Sequence, residues 1–599
     1  MAKSRGRLAR FVLATILVGI ACGNPRQAWP QSPPVQWSGI DRVVAFADVH
    51  GAYSELLTLL HETGIINTQE RWAAGNTHVV SLGDLLDRGA DSRKVMDLLM
   101  RLQGEAQAAG GQLHVLLGNH EAMNLLGDLR YVSAGEYASY ADMDLAAARV
   151  SGMPPGYVGH RAAFSPAGKY GRWLLALPIA IRINDTLFMH AGPAKGLRGM
   201  SLQELNLRYR TALTDYLGLA AALEQAKLLQ TGDAYDARSR LASERLAATV
   251  AGGGVPDAAL TDAVKRFELA ANNSLLSDEG PNWYRGAALC NEVAEADVLL
   301  PLLSQFGAAR LVVGHTPTRD SRAVTRFDGR IIKLDAGMNH TAYGGRPAAL
   351  FIQASELTVR YAGEANASAL RPEGLFVVPN NLDDASVLAA LRDGETIVTG
   401  PRVPNEFNVA VSHGGARIPA VFQVRTASAA RKDVAAYLLD RLLGLGLVPV
   451  TVERELQGQR GVLQARPVKW ITQADAAQQS IRGDVWCGAE PQFQLLYAFD
   501  ALIGNEGRTA ASILIDLDDW FFYGTSYERA FGRSKGLPAY LKARPPAPGA
   551  EIRGRLAGLN EARLRAALGN LLDERDLRAI LARRDVLLAL PATATAKSP

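Results

Sequence analysis

The sequence predicts a layered α/β fold that is divided into more than one domain. From Arg42 onward, short apolar runs alternate with segments of helical spacing, which is typical of strands and helices packed in layers. Glycine and polar residues follow the apolar runs, where the chain must turn. With 599 residues, the chain is too long for one hydrophobic core, so we expect at least two domains.

Six apolar runs are predicted strands, because they are short and rich in β-branched residues. They are Val43–Ala47, His78–Leu82, Leu113–Leu117, Leu187–His190, Leu311–Gly314 and Ile331–Leu334. The stretch from about Asp142 to Ser277 differs, since it is rich in Ala, Leu, Arg and Glu and has helical spacing over Leu202–Leu229. We interpret residues 140–278 as a helical insertion, which is either a lid or a structural elaboration.

The character of the chain changes near residue 370, in the Pro- and Asn-rich segment Leu370–Asn381. All ten histidines lie at or before His413. We therefore predict one domain at 36–365 and a second at 370–599. In the second domain, Val434–Gly446 is predicted to be an amphipathic helix that ends at glycine, and Val448–Arg454 a strand.

Residues 1–30 have the composition of a bacterial export leader. The basic residues Lys3, Arg5, Arg7 and Arg10 precede an uncharged stretch, Phe11–Cys22. That stretch is shorter than the roughly 20 residues that cross a bilayer. We expect an exported protein, periplasmic or secreted, that is released in soluble form after cleavage of the leader, for which Ala28 offers a site. The alternatives are a lipid anchor at Cys22, which would be the only membrane contact, and an uncleaved anchor.

Composition excludes several classes of function. A net charge of +4 and a pI near 8.8 are too weak to indicate nucleic-acid binding. Three cysteines cannot form a disulfide framework or a Cys-rich zinc site. If the leader is removed at or after Cys22, only Cys290 and Cys487 remain to pair, and they lie in different predicted domains. The chemistry must therefore use His, Asp, Asn and Arg.

Polar clusters follow five of the predicted strands, at the edge where layered α/β proteins bind ligands. These clusters are Asp48-Val49-His50-Gly51, Gly83-Asp84-Leu85-Leu86-Asp87-Arg88-Gly89, Gly118-Asn119-His120-Glu121, His190-Ala191-Gly192 and Gly314-His315-Thr316-Pro317. Oxygen and imidazole ligands without thiolate suit Mn, Fe or Zn. A carboxylate that bridges two such ions forms a hydrolytic site, in which a bridging water attacks phosphorus.

Two arginines and two histidines require separate interpretation. Arg88 and Arg285 can hold phosphoryl oxygens with two parallel hydrogen bonds each. His78 and His114, in contrast, lie inside predicted strands, so we interpret them as structural or surface residues.

The ordered motifs DVHG, GDLLDRG, GNHE, MHAG and GHTP resemble those of the calcineurin-like metallophosphoesterase superfamily, in its phosphoprotein-phosphatase branch. The longer runs GNHEAMNLLGDLRYV, GPNWYRG and YGG are similar to those of the bacterial Shewanella-like protein phosphatases. The resemblance covers about residues 40–360. It implies a β-sandwich flanked by helices, with a site for two metal ions between the sheets.

The resemblance also implies roles for individual residues. The first ion would be held by Asp48, His50 and Asp84, with Asp84 bridging, and the second would be completed by Asn119, His190 and His315. His120 would protonate the leaving oxygen while Asp87 orients its ring, a general-acid dyad. Arg88 and Arg285 would bind phosphate.

Three further residues fall in segments that the family places near the site. Glu121 is expected to orient its loop. Tyr343 and His340 lie where the family has a site-lining segment, and either a direct role or loop packing fits them.

The second domain resembles a small atypical kinase fold related to lipid kinases and HipA-type kinases. The positions that should hold the base, the metal ligands and the phosphate-binding lysine are occupied by Gly507, Ser512, Ser526 and Gln423. These residue types cannot hold Mg-ATP in the usual manner. We therefore interpret this half as a pseudokinase-like α+β domain. An unrelated α/β domain and an active kinase with rearranged ligands are the alternatives.

Together, these features predict an exported phosphomonoesterase that uses two divalent ions and a bridging hydroxide, with phosphorylated protein side chains as substrate. A nucleotide or dinucleotide polyphosphate hydrolase is the alternative enzyme. A scaffold protein that acts through its kinase-like half is the alternative outside enzymes.

Overall fold

A computed structural model describes residues 34–144, 150–252, 258–354, 356–374, 382–481, 486–518 and 520–591. The predicted leader, with its lipid-anchor box at Cys22, lies outside these residues. Within the described ranges, no helix combines the length and the apolar character that a membrane crossing requires.

The N-terminal half, residues 34–374, mixes short strands with helices. Its strands are β1 (Gln36–Trp37), β2 (Arg42–Phe46), β3 (His78–Ser81), β4 (Gln112–Val115), β5 (Ala180–Ile183), β6 (Thr186–Met189), β7 (Arg310–Val313), β8 (Val324–Arg326), β9 (Ile331–Lys333), β10 (Ala348–Gln353), β11 (Glu356–Tyr361), β12 (Ser368–Ala369) and β13 (Arg371–Pro372). Its helices are α1 (Tyr53–Glu62), α2 (Ser92–Ala108), α3 (Asn119–Leu126), α4 (Ala134–Ala138), α5 (Tyr157–Phe164), α6 (Lys169–Leu174), α7 (Leu202–Gln225), α8 (Arg238–Ala251), α9 (Ala258–Ala271), α10 (Gly286–Leu289), α11 (Glu292–Gln305) and α12 (His340–Tyr343).

The strands of this half form two sheets around one core. One sheet has the order β12-β11-β10-β2-β3-β4, and the other has the order β1-β5-β6-β7-β9-β8-β13. Fully buried Val44 of β2 and Val312 of β7 belong to the same apolar cluster, because each sheet must cover one hydrophobic face. All six predicted strands are strands of these two sheets, so the α/β prediction is confirmed.

The predicted insertion at 140–278 is not helical throughout. Strands β5 and β6 lie inside it and pair with each other and with β1 and β7. Strand β6 was predicted at Leu187–His190, whereas β5 was not, because it lies next to Ala- and Leu-rich helical segments. The part of the insertion that consists of helices without strands is shorter and contains α7, α8 and α9. The first predicted domain also extends beyond residue 365, since β13 pairs with β8.

The C-terminal half, residues 382–591, contains the remaining elements. Its strands are β14 (Glu395–Val403), β15 (Glu406–His413), β16 (Ala416–Val424), β17 (Thr451–Leu456), β18 (Gln459–Ala465), β19 (Trp470–Thr472), β20 (Ile513–Asp516) and β21 (Phe522–Gly524). Its helices are α13 (Asp384–Asp393), α14 (Ala427–Leu443), α15 (Gln473–Gln478), α16 (Ala489–Ile503), α17 (Ala550–Ala557), α18 (Glu561–Leu568) and α19 (Glu574–Ala589).

An antiparallel sheet of order β14-β15-β16-β18-β17 forms one side of this half, and helices form much of the rest. The predicted amphipathic helix is α14, which ends where Gly444 adopts a left-handed conformation (φ 63°) that glycine reaches without steric cost. The predicted strand at Val448–Arg454 begins later, as β17. The likeness to a kinase stays a prediction.

Helix α11 and one disulfide connect the two halves. Leu299 and Leu302 of α11 lie in the N-terminal core, whereas Val293 of the same helix lies in the C-terminal core. Cys290, which precedes α11, forms a disulfide with Cys487 across 197 positions of sequence. The two cysteines that remained available in the sequence are therefore paired with each other.

Candidate metal centre

The candidate site lies where the carboxyl ends of two sets of parallel strands meet. In one sheet, β2, β3 and β4 run parallel, and in the other β6, β7 and β9 do. The residues that follow these strands are Asp48 and His50, Asp84 and Asp87, Asn119 and His120, His190, His315, and Asp335. All are buried. Two sheets that share one core thus deliver one shared cluster of ligand-type side chains.

Asp84 lies at the centre of this cluster. Its carboxylate oxygens lie 3.7 Å from Nε2 of His50 and 3.3 Å from Nε2 of His190. Two groups of side chains offer ligand atoms that all lie within 4.8 Å of one another. These groups are His50, Asp84 and His120, and Asp84, His190 and His315. Asp84 belongs to both groups.

Each of three histidines donates a hydrogen bond from one ring nitrogen to a backbone carbonyl oxygen. Nδ1 of His50 lies 2.9 Å from the carbonyl oxygen of Leu86, and Nδ1 of His190 lies 2.9 Å from that of Leu82. In His315 it is Nε2 that lies 3.2 Å from a backbone carbonyl, that of Trp283.

A carbonyl only accepts, so these nitrogens carry hydrogen and the opposite nitrogen of each neutral ring keeps its lone pair. The lone-pair nitrogens of His190 and His315 are 3.2 Å apart. Histidines oriented in this way are typical of metal ligands.

The carboxylates and the amide complete the cluster. Both oxygens of Asp48 accept from the backbone N–H of His315, at 3.1 and 3.0 Å, and Oδ2 lies 4.0 Å from Nε2 of His50. Oδ1 of Asn119 lies 2.8 Å from Nε2 of His190. Oδ2 of Asp335 has no hydrogen-bond partner among the described residues. Oxygen and imidazole donors of this kind fit divalent cations.

The electrostatics of the cluster also favour bound cations. Burial, followed by the charge of Asp335, holds the pKa of Asp48 well above its usual range. Burial raises the pKa of Asp335 to about 6. Burial opposes the charged form of His190, but Asp84 and Asp48 outweigh it and raise that pKa to about 9. Buried carboxylates that crowd one another in this way lack positive charge, which metal ions supply.

Several of these side chains sit on unusual backbone. His50, Asp84, Asp87, Arg88 and His315 have φ angles of 48°, 51°, 69°, 67° and 63°. Residues other than glycine seldom adopt this left-handed region, and such strain concentrates at functional sites. The turns therefore aim these side chains at the cluster.

Glycine allows the loops to approach each other. A Cβ on Gly118 would lie 2.2 Å from Oδ1 of Asp84, and one on Gly314 would lie 2.3 Å from Oδ1 of Asp48. Glu121 fixes the same region, because its carboxylate accepts from the backbone N–H groups of Gly118, Asp84 and Leu85 at 2.7 to 2.8 Å. This geometry agrees with the loop-orienting role expected of Glu121.

His120 forms a dyad beside the cluster. Its Nδ1 lies 2.5 Å from Oδ2 of Asp87, and its Nε2 lies 3.8 Å from Asp84. Burial disfavours the charged ring, but Asp84 and Asp87 outweigh this effect and raise the pKa of His120. Nδ2 of Asn124 donates to the other oxygen of Asp87 at 3.0 Å. The dyad thus presents one ring nitrogen, Nε2, towards the cluster.

Two arginines border the site on aromatic faces. The guanidinium carbon of exposed Arg88 lies 5.0 Å from the ring centre of Tyr131 and 5.1 Å from that of Tyr343. Nη1 of Arg285 donates to the carbonyl oxygen of His315 at 3.0 Å and to Oγ1 of Thr316 at 2.9 Å. Cation–π contacts hold such side chains in place.

Comparisons with known proteins identify the family. A sequence model described as calcineurin-like phosphoesterase matches residues 41–319. An uncharacterized protein of Schizosaccharomyces pombe is 30% identical over 319 residues, which are 52% of this chain and 78% of that protein. The chain belongs to the calcineurin-like phosphoesterase family. It is a hydrolase of the phosphatase type, as predicted.

Proteins with a named activity are similar to parts of this phosphoesterase. Shewanella-like protein phosphatase 2 of Arabidopsis thaliana is 42% identical over 93 residues, which are 16% of this chain and 24% of that protein. The crystal structure of a cold-active protein-tyrosine phosphatase of a psychrophilic Shewanella species has 28% sequence identity and a TM-score of 0.40, and covers 56% of this chain and 82% of that one.

The phosphoesterase brings together most of the residues that the sequence singled out. Every proposed metal ligand lies in the cluster, and Tyr343 lies beside it, with its ring centre 5.5 Å from that of His50. His340 is exposed, and its Nδ1 contacts the carbonyl oxygen of Gly345. His78 and His114 contact each other within the sheet at 3.1 Å, as expected of structural histidines.

Sequence reasoning missed four residues of the site. Asp335 follows a predicted strand, as the other ligand-type residues do, so the same rule would have found it. Asn124 and Tyr131 lie within the run GNHEAMNLLGDLRYV. Trp486, whose ring centre is 5.5 Å from the guanidinium carbon of Arg285, comes from the other half, and no sequence pattern indicates it.

Proposed function

We propose that this phosphoesterase is an exported phosphomonoesterase that holds two metal ions and acts on phosphorylated protein side chains. The position of Asp84 carries the proposal. Its carboxylate lies between His50 and His190, within 3.7 and 3.3 Å of their Nε2 atoms. One carboxylate in this position can serve two cations.

The buried donors divide between two ions. Asp48, His50 and Asp84 would hold a first ion, and a second would be held by Asp84 together with Asn119, His190 and His315. Their oxygen and nitrogen donors suit Mn, Fe or Zn. When bound, such cations act as Lewis acids that activate water and offset the charge of phosphoryl oxygens.

His120 supplies the proton that hydrolysis requires. Water adds to phosphorus while the bond between phosphorus and the ester oxygen breaks, and inorganic phosphate and an alcohol are released. The proton on Nε2 of His120 passes to the departing oxygen. Asp87, 2.5 Å from Nδ1, fixes the ring and stabilises its charged form. General acids of this kind contribute about 10²- to 10⁴-fold to rate.

Arg88 and Arg285 bind the other phosphate oxygens. Their guanidinium groups lie at the border of the cluster and are held by aromatic rings. A planar guanidinium can donate two parallel hydrogen bonds to one phosphate group. The arginines therefore orient the phosphorus atom towards the attacking water.

The relatives support a protein substrate, since two of them are named Shewanella-like protein phosphatases. A direct test compares a phosphopeptide, p-nitrophenyl phosphate and diadenosine tetraphosphate, after loading with Mn, Fe or Zn. Turnover of the phosphopeptide supports the proposal. Turnover confined to the dinucleotide favours the polyphosphate hydrolase instead, and no turnover with metal bound contradicts both enzymes.

Export is supported by two observations. The leader-like residues 1–30 are basic and then apolar, and the disulfide between Cys290 and Cys487 is of a kind that is rare in a reducing cytoplasm. Fractionation of cells that produce the full chain tests this proposal. Recovery in the cytoplasm with residues 1–30 intact would contradict it. Labelling with palmitate decides whether Cys22 carries a lipid.

The C-terminal half is proposed to be pseudokinase-like. Gln423, at the position expected for a phosphate-binding lysine, donates to Glu406 at 2.7 Å. Asp500, a buried carboxylate of this half, accepts from Arg508 and Asn505, so it is already paired and is not available to Mg²⁺. Mg-ATP should therefore not raise the melting temperature of the protein. A clear rise would favour an active kinase with rearranged ligands.

A further inference from the structure

Trp486 extends from the C-terminal half to the edge of the metal centre. It precedes Cys487, whose disulfide with Cys290 fixes the two Cα atoms at 5.2 Å. Cys290 is the residue after α10, and α10 begins directly after Arg285. Two residues of one short segment thus meet two residues of another, Trp486 with Arg285 and Cys487 with Cys290.

Arg285 is held by hydrogen bonds and by an aromatic contact. Its Nη1 donates to the carbonyl oxygen of His315 and to Oγ1 of Thr316, which ties it to the segment that carries a metal ligand. The ring of Trp486 also contacts the guanidinium, with 5.5 Å between the guanidinium carbon and the ring centre. A cation over an indole face is attracted by the electron-rich ring, and this attraction is strongest for tryptophan.

Core packing does not account for the position of Trp486. Among the described residues, Trp486 belongs to neither of the two apolar cores. It instead lines a cavity of about 690 Å³ between the halves, together with Pro281, Tyr284 and Lys195. The position of this half-buried indole is therefore better explained by its contact with Arg285 than by core packing.

We infer that Trp486 is a positioning residue of the phosphate site, and that the Cys290–Cys487 disulfide holds it against Arg285. The inference rests on the proposed function, in which Arg285 binds a phosphate oxygen. With Trp486 in place, the guanidinium keeps one orientation and binds phosphate without first being ordered. The C-terminal half thereby completes a site whose metal ligands all come from the N-terminal half.

Binding of inorganic phosphate to the full-length, metal-loaded protein tests the inference by calorimetry. W486A should weaken phosphate binding about fivefold, as expected for loss of one cation–π contact, and should raise KM by a similar factor with a smaller change in kcat. W486F, which keeps an aromatic face, should restore most of the affinity. W470A is the matched control, because Trp470 also stacks on arginines, Arg402 and Arg466, but lies in the C-terminal sheets; it should bind phosphate like the wild type.

A double-mutant cycle separates positioning from a structural effect. In the R285A background, W486A should have no further effect on phosphate affinity, because its partner is gone. Full additivity of the two losses would overturn the inference, as would binding by W486A within twofold of the wild type. Calorimetry measures phosphate binding and requires no turnover. A protein that hydrolyses no substrate would therefore contradict the proposed function, while the binding data would still test the role of Trp486.

The disulfide is tested in two ways, because the loss of a cysteine can also lower stability. C487S and mild reduction of the wild type by a phosphine should each weaken phosphate binding about as much as W486A does. Metal content and the melting temperature are measured alongside. A reduced protein that keeps its fold, its metal and its full phosphate affinity would show that the disulfide does not hold Trp486 in place.

Discussion

Oδ2 of Asp87 lies 2.5 Å from Nδ1 of His120, and both side chains are buried. The other oxygen of Asp87 accepts from Asn124, so the carboxylate cannot rotate away from the ring. Asp87 is thereby a positioning residue for a proton donor, and its effect should depend on how much the leaving group needs a proton.

His120→Ala should lower kcat by about 10²- to 10⁴-fold on a phosphoserine peptide. The loss should be much smaller on p-nitrophenyl phosphate, because nitrophenolate leaves without protonation. Steady-state kinetics on both substrates measure the difference. His413→Ala, which removes an exposed histidine of the C-terminal half, serves as the control. Equal losses on both substrates would contradict the role of His120 as proton donor.

Asp84→Asn should reduce both the metal content and the activity, because Asp84 is common to both groups of ligand-type side chains. Elemental analysis of the purified variant measures the metal per chain. We expect less than one ion per chain, and a chelator should inactivate the wild type. Asp97→Asn, which alters a carboxylate outside the site on α2, should keep metal and activity. Full metal occupancy in Asp84→Asn would argue against a shared carboxylate.

Gly118→Ala should abolish activity, since its Cβ would lie 2.2 Å from Oδ1 and 2.5 Å from the backbone nitrogen of Asp84. The matched control is Gly104→Ala in α2, where the new Cβ would meet nothing within 4 Å. Alanine is the better helix former there, and it should stabilise the protein by up to about 1 kcal/mol. Assays and urea unfolding of the two variants test this contrast. An active Gly118→Ala enzyme would show that the loops can separate.

Asp500→Ala should destabilise the protein by about 3 to 5 kcal/mol, because it leaves Arg508 buried without its partner. The side chains of the pair are 0% and 2% exposed. Asp518→Ala removes an exposed partner of Lys469 and should cost less than about 1 kcal/mol. Urea unfolding of the full chain compares them. Unchanged stability in Asp500→Ala would contradict a structural role for the pair.

Glu295 should make stability depend on pH, since burial raises its pKa to about 7. An unfolded glutamate titrates near 4.5, so the folded state holds this proton more tightly. Its contribution to stability is full below about pH 4.5 and is lost as the pH rises through 7.

Glu295→Gln should therefore gain stability relative to the wild type between pH 5 and pH 8, by up to roughly 3 kcal/mol. Melting curves at several pH values measure the difference. Glu268→Gln, on an exposed part of α9, should change little. A difference that does not vary with pH would contradict a raised pKa.

The fold of the N-terminal half and its cluster of ligand-type side chains were largely predictable, for a physical reason. Each ligand-type cluster follows a strand, and parallel strands bring their carboxyl ends to one edge. Asp335 follows β9 in the same way, so the same rule could have predicted it. The left-handed backbone of Asp84 and His315 could not be predicted, because residues other than glycine reveal no such preference in sequence.

Contacts between distant segments were beyond prediction. The pairing of Trp486 with Arg285 depends on how the two halves pack, and a lone tryptophan carries no periodic or spacing signal. Strand β5 was missed for a related reason, although β6 was predicted. Its partner β1 is distant in sequence, so local composition could not show that β5 completes a sheet.

Helix α11 has a consequence for how the protein responds to its ligands. Because its two ends lie in two different cores, neither half can unfold without uncovering apolar surface of the other. Whatever binds only the folded metal centre must then stabilise the whole chain by mass action. Loading with metal or phosphate should protect cleavage sites in the C-terminal half from proteases, although the ligand-type side chains belong to the N-terminal half. The amount of intact C-terminal half in the cell should thus rise and fall with the supply of metal to the N-terminal half.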